Sequence, residues 1–188
     1  MRAFVALPSP PRLRAALGEA LEGWRRSGAA VRWSRPEQIH LTLRFLGDDA
    51  DPDRLARLDA ALGLAAAGVP PLGVRPGPTG AFPGWGRPRV LWLGLENGDA
   101  LGRLAAAVEE AAREAGFTAG ERPFTPHLTL GRARGRVVEA AVLEAVRGWR
   151  PDTGEETLEE LILYRSEIGP AGARHEALAR HPLSGEPT

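Results

Sequence analysis

The 188-residue chain contains no cysteine and no lysine. Without cysteine there is no disulfide, no thiol nucleophile and no thiolate metal site. Without lysine, Schiff-base chemistry, a phosphate-loop lysine and a lysyl-nucleotide intermediate are all excluded, and the 24 basic residues are all arginine. Net charge is missing as well: 24 acidic residues balance the arginines, and the pI is near 6.9. That balance argues against a broad basic surface that grips long nucleic acid by counterion release, and leaves local binding of an anion. No apolar run approaches the roughly 18 residues that span a bilayer, and the run from Ala3 to Leu7 is too short for a signal-peptide core. A cytoplasmic protein without membrane association is expected.

What is present reads as one globular domain over 1–188, of a length for two closely packed lobes. Arg2 to Leu7 predicts an opening strand, and Pro10 to Arg26 a helix with Leu13, Leu17, Leu21 and Trp24 on its inner face. Val31 to Trp33 is a short strand. From Ile39 to Leu46, His40, Thr42 and Arg44 alternate with Leu41, Leu43 and Phe45, so one face of that strand is polar and the other apolar. Asp51 and Pro52 open a second helix, with Leu55, Leu58 and Leu62 turned inward.

Glycine and proline crowd residues 68–86, predicting a crossover with a strand around Leu72 to Pro76 and a loop from Gly80 to Gly86. Arg89 to Leu95 is a buried strand. Asn97 or Asp99 caps a third helix faced by Leu101, Leu104, Val108, Ala111 and Ala115, and Gly116 closes it. A fourth helix is expected over Val137 to Val146, a long strand over Thr157 to Ser166 and a short last one near Glu176 to Leu178. Mixed strands and helices in this order give an α+β fold.

The string Arg-Pro-x-x-x-His-Leu-Thr-Leu occurs twice, as Arg35-Pro36 with His40 to Leu43 and as Arg122-Pro123 with His127 to Leu130, 87 residues apart. Four histidines and eight threonines in the whole chain make a chance duplication of this pattern improbable. Each copy follows a strand-helix-strand region, which predicts two lobes related by a pseudo-two-fold axis. Residues i and i+2 of a strand point to one side and rise together by about 6.6 Å, so His-x-Thr delivers an imidazole and a hydroxyl to one small volume. The hydroxyl can donate to a non-bridging phosphate oxygen while the imidazole moves a proton at a bridging or attacking one. In-line displacement at phosphorus needs an acid on the leaving side and a base on the attacking side, and two such motifs supply both.

Around this pair, Arg44 shares the polar strand face and Arg132 follows the second motif, both as candidate phosphate or sugar contacts. Phe82 and Trp85 lie in the Gly/Pro loop, where an aromatic ring can stack on a base or cap the core. Trp33 and Trp149 read as core, and His175 and His181 as surface residues without a role. A metal site is not expected: there is no HExxH string, and His175 is the one candidate third ligand.

With these residues in hand, the chain resembles the two-histidine phosphoesterases, specifically the RNA 2′,3′-cyclic phosphodiesterases also called 2′-5′ RNA ligases. The similarity is carried by Arg2-Ala3-Phe4-Val5-Ala6-Leu7, His40 to Gly47, Phe82-Pro83 with Arg89 to Gly94, Arg122 to Arg132, and Leu161 to Ser166. It implies a bilobal α+β fold with antiparallel sheets facing a central cleft and helices outside. It also implies metal-free opening of a 2′,3′-cyclic phosphate to a 2′-phosphate and reversible 2′-5′ joining of tRNA-half-like RNA ends. No cofactor is expected, joining is expected to be ATP-independent because the chain has no lysine, and a monomer is expected. His40, Thr42, His127 and Thr129 take the family's catalytic positions, Arg132 a substrate-contacting arginine and Phe82 a base-stacking position. One departure stands out: His175 occupies a place where the resemblance leads one to expect tyrosine.

On this reading His127 is the general base on water and His40 the general acid on the departing 3′ oxygen, with Thr42 and Thr129 on the non-bridging oxygens; the sequence also admits the reverse order. The alternatives are hydrolysis of a smaller cyclic phosphate such as ADP-ribose 1″,2″-cyclic phosphate, hydrolysis of a 2′-5′ oligonucleotide, and a non-catalytic nucleotide- or RNA-binding module.

Overall fold

A computed structural model describes residues 1–120, 123–135, 138–169 and 172–186. The opening apolar run forms β1 (Ala3–Pro8), and two prolines then start α1 (Pro11–Arg26), where a missing amide hydrogen costs nothing. The free amides of Arg12 and Leu13 at that helix start donate to the buried Glu156 carboxylate at 2.8 and 2.7 Å, a negative group at the positive end of the helix. β2 (Val31–Trp33) and a 3₁₀ turn lead into β3 (His40–Gly47). As expected, Asp51 caps α2 (Pro52–Ala67), accepting from the Arg54 amide at 3.0 Å.

The crossover differs from expectation. It holds two strands, β4 (Leu72–Val74) and β5 (Pro76–Phe82), so the second strand absorbs the first part of the predicted loop. Gly80 makes this possible: a Cβ there would collide with the ring of Trp92 on the paired β6 (Val90–Leu95). α3 (Gly98–Glu114) follows, with Asn97 at its start in the left-handed conformation and its side-chain amide donating to the Gly73 carbonyl at 2.7 Å. Gly116, at φ +96°, closes the helix as its sequence position predicts.

The remainder is β7 (His127–Ala133), α4 (Ala140–Gly148), β8 (Glu156–Leu158), β9 (Glu160–Gly169) and β10 (Gly172–Pro182). Val137, where the fourth helix was expected to begin, and Arg122 of the second repeat lie outside the described residues. β10 is much longer than the predicted Glu176–Leu178 because it pairs with β9 from Gly172↔Gly169 to Pro182↔Glu160. Among the described residues no helix is long and apolar enough to cross a membrane.

Strands from both halves of the sequence join in one antiparallel sheet, ordered β10-β9-β1-β3-β7-β6-β5, with β2 also on β7; β4 and β8 form a separate pair. The β10-β9-β1-β3 side of this sheet meets the β7-β6-β5 side at a single β3–β7 backbone pair, Leu41↔Leu128. Val5, Leu7, Leu41, Leu93, Leu128 and Leu163 are almost wholly buried, each contributing about 1.5–3 kcal/mol by leaving water. Trp24 packs on Trp33 and Trp149, both at 5.3 Å between ring centroids, as the core reading of those tryptophans requires.

One irregularity occurs twice and sets what reaches the polar face. On β3, Thr42 pairs with Ala6 but Arg44 pairs with Val5, so an extra residue is bulged out at Leu43. On β7, Thr129 pairs with Trp92 but Gly131 pairs with Leu91, an equivalent bulge at Leu130, 87 residues later. A bulge moves every following side chain to the opposite face. Phe45, opposite Phe4, and Arg132, opposite Val90, therefore join the face that carries the two histidines.

Candidate active site

His40 and Thr42 on β3, and His127 and Thr129 on β7, lie half-buried on one face of the sheet, either side of the Leu41↔Leu128 pair. The structure brings all four together. Their two imidazoles are held in the same way. Nδ1 of His40 is 2.7 Å from the Gln38 carbonyl, and Nδ1 of His127 is 2.7 Å from the Thr125 carbonyl, each acceptor two residues upstream. A carbonyl oxygen can only accept, so each Nδ1 carries the hydrogen and each Nε2 keeps its lone pair for chemistry.

Both rings titrate below the ordinary histidine value of 6.5. Burial is the main cause for His40, which is pushed down to about 4, with the charges of His175, His127 and Arg132 acting the same way against the Gln38 hydrogen bond. His127 is lowered less, again first by burial, with the Thr125 hydrogen bond opposing and the Arg132 charge adding. At neutral pH the free protein thus presents two neutral imidazoles.

Aromatic walls account for the burial. His40 stacks on Phe4 at 4.7 Å between centroids, and Phe4 stacks in turn on Tyr164 at 5.1 Å. His127 meets Phe82 edge-on at 5.1 Å and has Trp92 at 6.1 Å. Phe82 and Tyr164 occupy corresponding places: Phe82 pairs with Val90 on the strand beside β7, and Tyr164 with Phe4 on the strand beside β3. Phe82, expected in a loop, is the last residue of β5 and reaches the site from there.

Two expectations are corrected. Arg44 was placed on the polar face by strict alternation, but the bulge at Leu43 turns it to the helix side. There its Nε lies 2.5 Å from the Glu109 carboxylate of α3, and its Nη2 donates to the Thr118 carbonyl. His175, read as a surface residue, stands edge-on to His40 at 5.2 Å and 87°, and to Phe4 at 4.9 Å. Its Nδ1 is buried without a hydrogen-bond partner, and burial together with the Arg2 charge holds its pKa down. Phe4, Tyr164 and Trp92 are wall residues that the sequence does not single out; all three lie in strand segments that carry the family resemblance, and their place beside the histidines follows from strand pairing.

Arg132 is on the histidine face, where loss of solvent and the charges of Arg2 and Arg32 push its guanidinium below its usual range. His181, by contrast, lies apart from this cluster and ties β10 to α2 through Asp59 at 2.8 Å. Among the described residues no group of three or more His, Cys, Asp or Glu side chains is arranged to hold a metal. Two imidazoles with free Nε2 atoms, two hydroxyls and one arginine can hold a phosphate and move protons on opposite sides of it.

The sequence matches the 2′-5′ RNA ligase superfamily over residues 6–169. It is 32% identical over 180 residues to the RNA 2′,3′-cyclic phosphodiesterase of Archaeoglobus fulgidus, covering 95% of this chain and 98% of that one. The protein of the same name from Geobacillus stearothermophilus is 31% identical over 185 residues, 98% of this chain, and the match spans 58% of that longer relative. Among solved structures, TT0787 of Thermus thermophilus superposes with a TM-score of 0.82 at 30% identity, over 99% of this chain and all of the other.

Proposed function

The chain belongs to the 2′-5′ RNA ligase superfamily, and from that membership we propose that it opens a 2′,3′-cyclic phosphate at an RNA 3′ end to a 2′-phosphate, without a metal or cofactor. The observation that carries this reading is the matched pair of imidazoles, each locked with Nε2 free on one face of the sheet. Water attacks phosphorus, the bond from phosphorus to the 3′ oxygen breaks, and the 3′ oxygen leaves as a hydroxyl. One Nε2 takes the proton from water and the other supplies one to the 3′ oxygen. Thr42 and Thr129 donate to the non-bridging oxygens, Arg132 balances the charge, and Phe82 stacks against the base.

The electrostatics favour an order opposite to the one expected from sequence. His40 is the more strongly depressed of the two, so it is the better held as a neutral base, and His127 the more easily protonated acid. The two lobes of the repeat then play base and acid about a pseudo-two-fold axis. Attack by a 5′ hydroxyl in place of water breaks the same bond and leaves a 2′-5′ linkage, so joining of tRNA-half-like ends needs neither ATP nor lysine.

Incubation with a nucleoside 2′,3′-cyclic phosphate in EDTA, with identification of the product isomer, tests the reading. A 2′-phosphate is expected. A 3′-phosphate product refutes the assigned bond cleavage, activity abolished by EDTA refutes metal independence, and no turnover of any cyclic phosphate favours a binding module.

A further inference from the structure

We propose that Arg2 is a second phosphate-binding cation, placed to hold the linkage next to the reacting phosphate of an RNA end; this rests on the reading of the two-histidine face given above. The bulges at Leu43 and Leu130 bring residues 45 and 132 to equivalent positions of that face. In the second half the position is itself an arginine, Arg132. In the first it is Phe45, an aromatic ring left 39% exposed, and the Arg2 guanidinium lies over it at 4.5 Å from the centroid. A cation therefore stands at both positions, grown from the strand in one half and laid on an aromatic platform in the other. Stacking on a ring holds a guanidinium in a fixed plane while its edge stays free to meet phosphate oxygens.

The surroundings fit an anion. Among the described residues the carboxylate paired with Arg2 is that of Asp48, which meets Nη1 and is itself largely exposed, a solvated pairing worth little and easily exchanged. The Arg2 charge acts on Arg132 and on His175, and Arg32 adds its own to Arg132, so positive charge gathers at this rim. The charged groups that act on His40 are His175, His127 and Arg132. Arg132 thus serves the reacting phosphate, and Arg2 stands one step further out, where the neighbouring phosphodiester of a longer substrate would lie.

The test compares a nucleoside 2′,3′-cyclic phosphate, which has no second phosphate, with a short oligoribonucleotide ending in the same group. Arg2→Gln is expected to raise the ratio of KM for the oligonucleotide to KM for the nucleoside about tenfold, the size of one charge-assisted contact. Phe45→Leu, which removes the platform and keeps the cation, is expected to raise it less. A ratio that does not move in Arg2→Gln overturns the proposal. A second measurement does not need turnover: binding of an oligoribonucleotide with a terminal 2′-phosphate is followed against salt. Loss of one phosphate contact makes the slope of log Kd on log salt shallower by about 0.7; an unaltered slope overturns the proposal. If the parent protein opens no cyclic phosphate and yet the slope changes with Arg2, the proposed reaction fails and the phosphate contact stands.

Discussion

The His175 ring meets the His40 ring edge-on, at 5.2 Å between centroids and 87° between planes, and so closes the wall that Phe4 and Tyr164 begin. Burial by that wall is the first cause of the low His40 pKa, and the His175 charge is a further one. His175→Phe keeps a ring and removes the charge, so the His40 pKa should rise modestly above about 4. His175→Ala also admits water and should raise it more. Following the His40 ring protons by NMR through an acid titration checks the order. A His40 pKa that stays put in both variants would show that His175 has no part in setting it.

Arg44 is expected to matter for stability and not for substrate. Its ion pair with Glu109 has side chains only 12% and 30% exposed, so Arg44→Gln leaves a partly buried carboxylate unpaired and should cost about 1–3 kcal/mol. Urea unfolding measures that loss, and steady-state kinetics below the transition should give a KM within about twofold of the parent, as for a group remote from substrate. A tenfold rise in KM with unchanged stability would return Arg44 to the site.

The contrast between Arg44 and Arg132 marks where sequence reasoning reaches its limit. The repeat and the period-two alternation placed His40, Thr42, His127 and Thr129 on one face, because those cues act over three residues. Neither bulge could be read the same way. A bulge depends on which residue of the partner strand lies opposite, and that register becomes visible only once β1 is laid beside β3 and β6 beside β7. Alternation alone thus turned Arg44 toward the site and Phe45 away, the inverse of the observed arrangement. The helices were legible from their apolar spacing and caps to within a few residues. The Gly-rich strand β5 was not, since its reason for being a strand is the Trp92 ring that crosses Gly80 from the neighbouring strand. His175 escaped for a related reason: β10 is a polar edge strand whose length comes from pairing with β9 and not from its own pattern.

Leu128 should be a costly position to truncate. It and Leu41 are fully buried and form the single backbone pair that joins the β3 and β7 halves of the sheet behind the two histidines. Leu128→Ala is expected to lose about 2–5 kcal/mol, from lost burial and the cavity left behind. Because both His-x-Thr segments are anchored there, kcat should fall even at temperatures well below unfolding. Calorimetry and initial rates at matched folded fractions separate the two effects, and a variant as stable as the parent would show that the junction is not a packing centre.

The pH dependence follows from two imidazoles that both titrate low. With His40 as base and His127 as acid, kcat/KM requires His40 neutral and His127 protonated in the free enzyme. Raising the pH through about 4 frees His40, so the rate climbs; further raising strips His127 below its ordinary 6.5, so the rate falls again. The maximum of kcat/KM should lie between those values, with markedly less activity at pH 8. A bound phosphate anion favours the imidazolium, so the alkaline limb of kcat should sit at higher pH than that of kcat/KM. The two limbs belong to the coupled pair, and His40→Gln should remove the acid one from whatever rate remains. Stability carries the same signature. Between 6.5 and about 4 the unfolded chain binds a proton that folded His40 refuses, so stability falls as pH drops through that window and levels below it. The gap corresponds to about 3 kcal/mol, and this share of the acid sensitivity should vanish in His40→Gln. Urea midpoints at pH 7 and 4.5 give the comparison; parallel losses in parent and variant would mean that His40 is not held neutral by its burial.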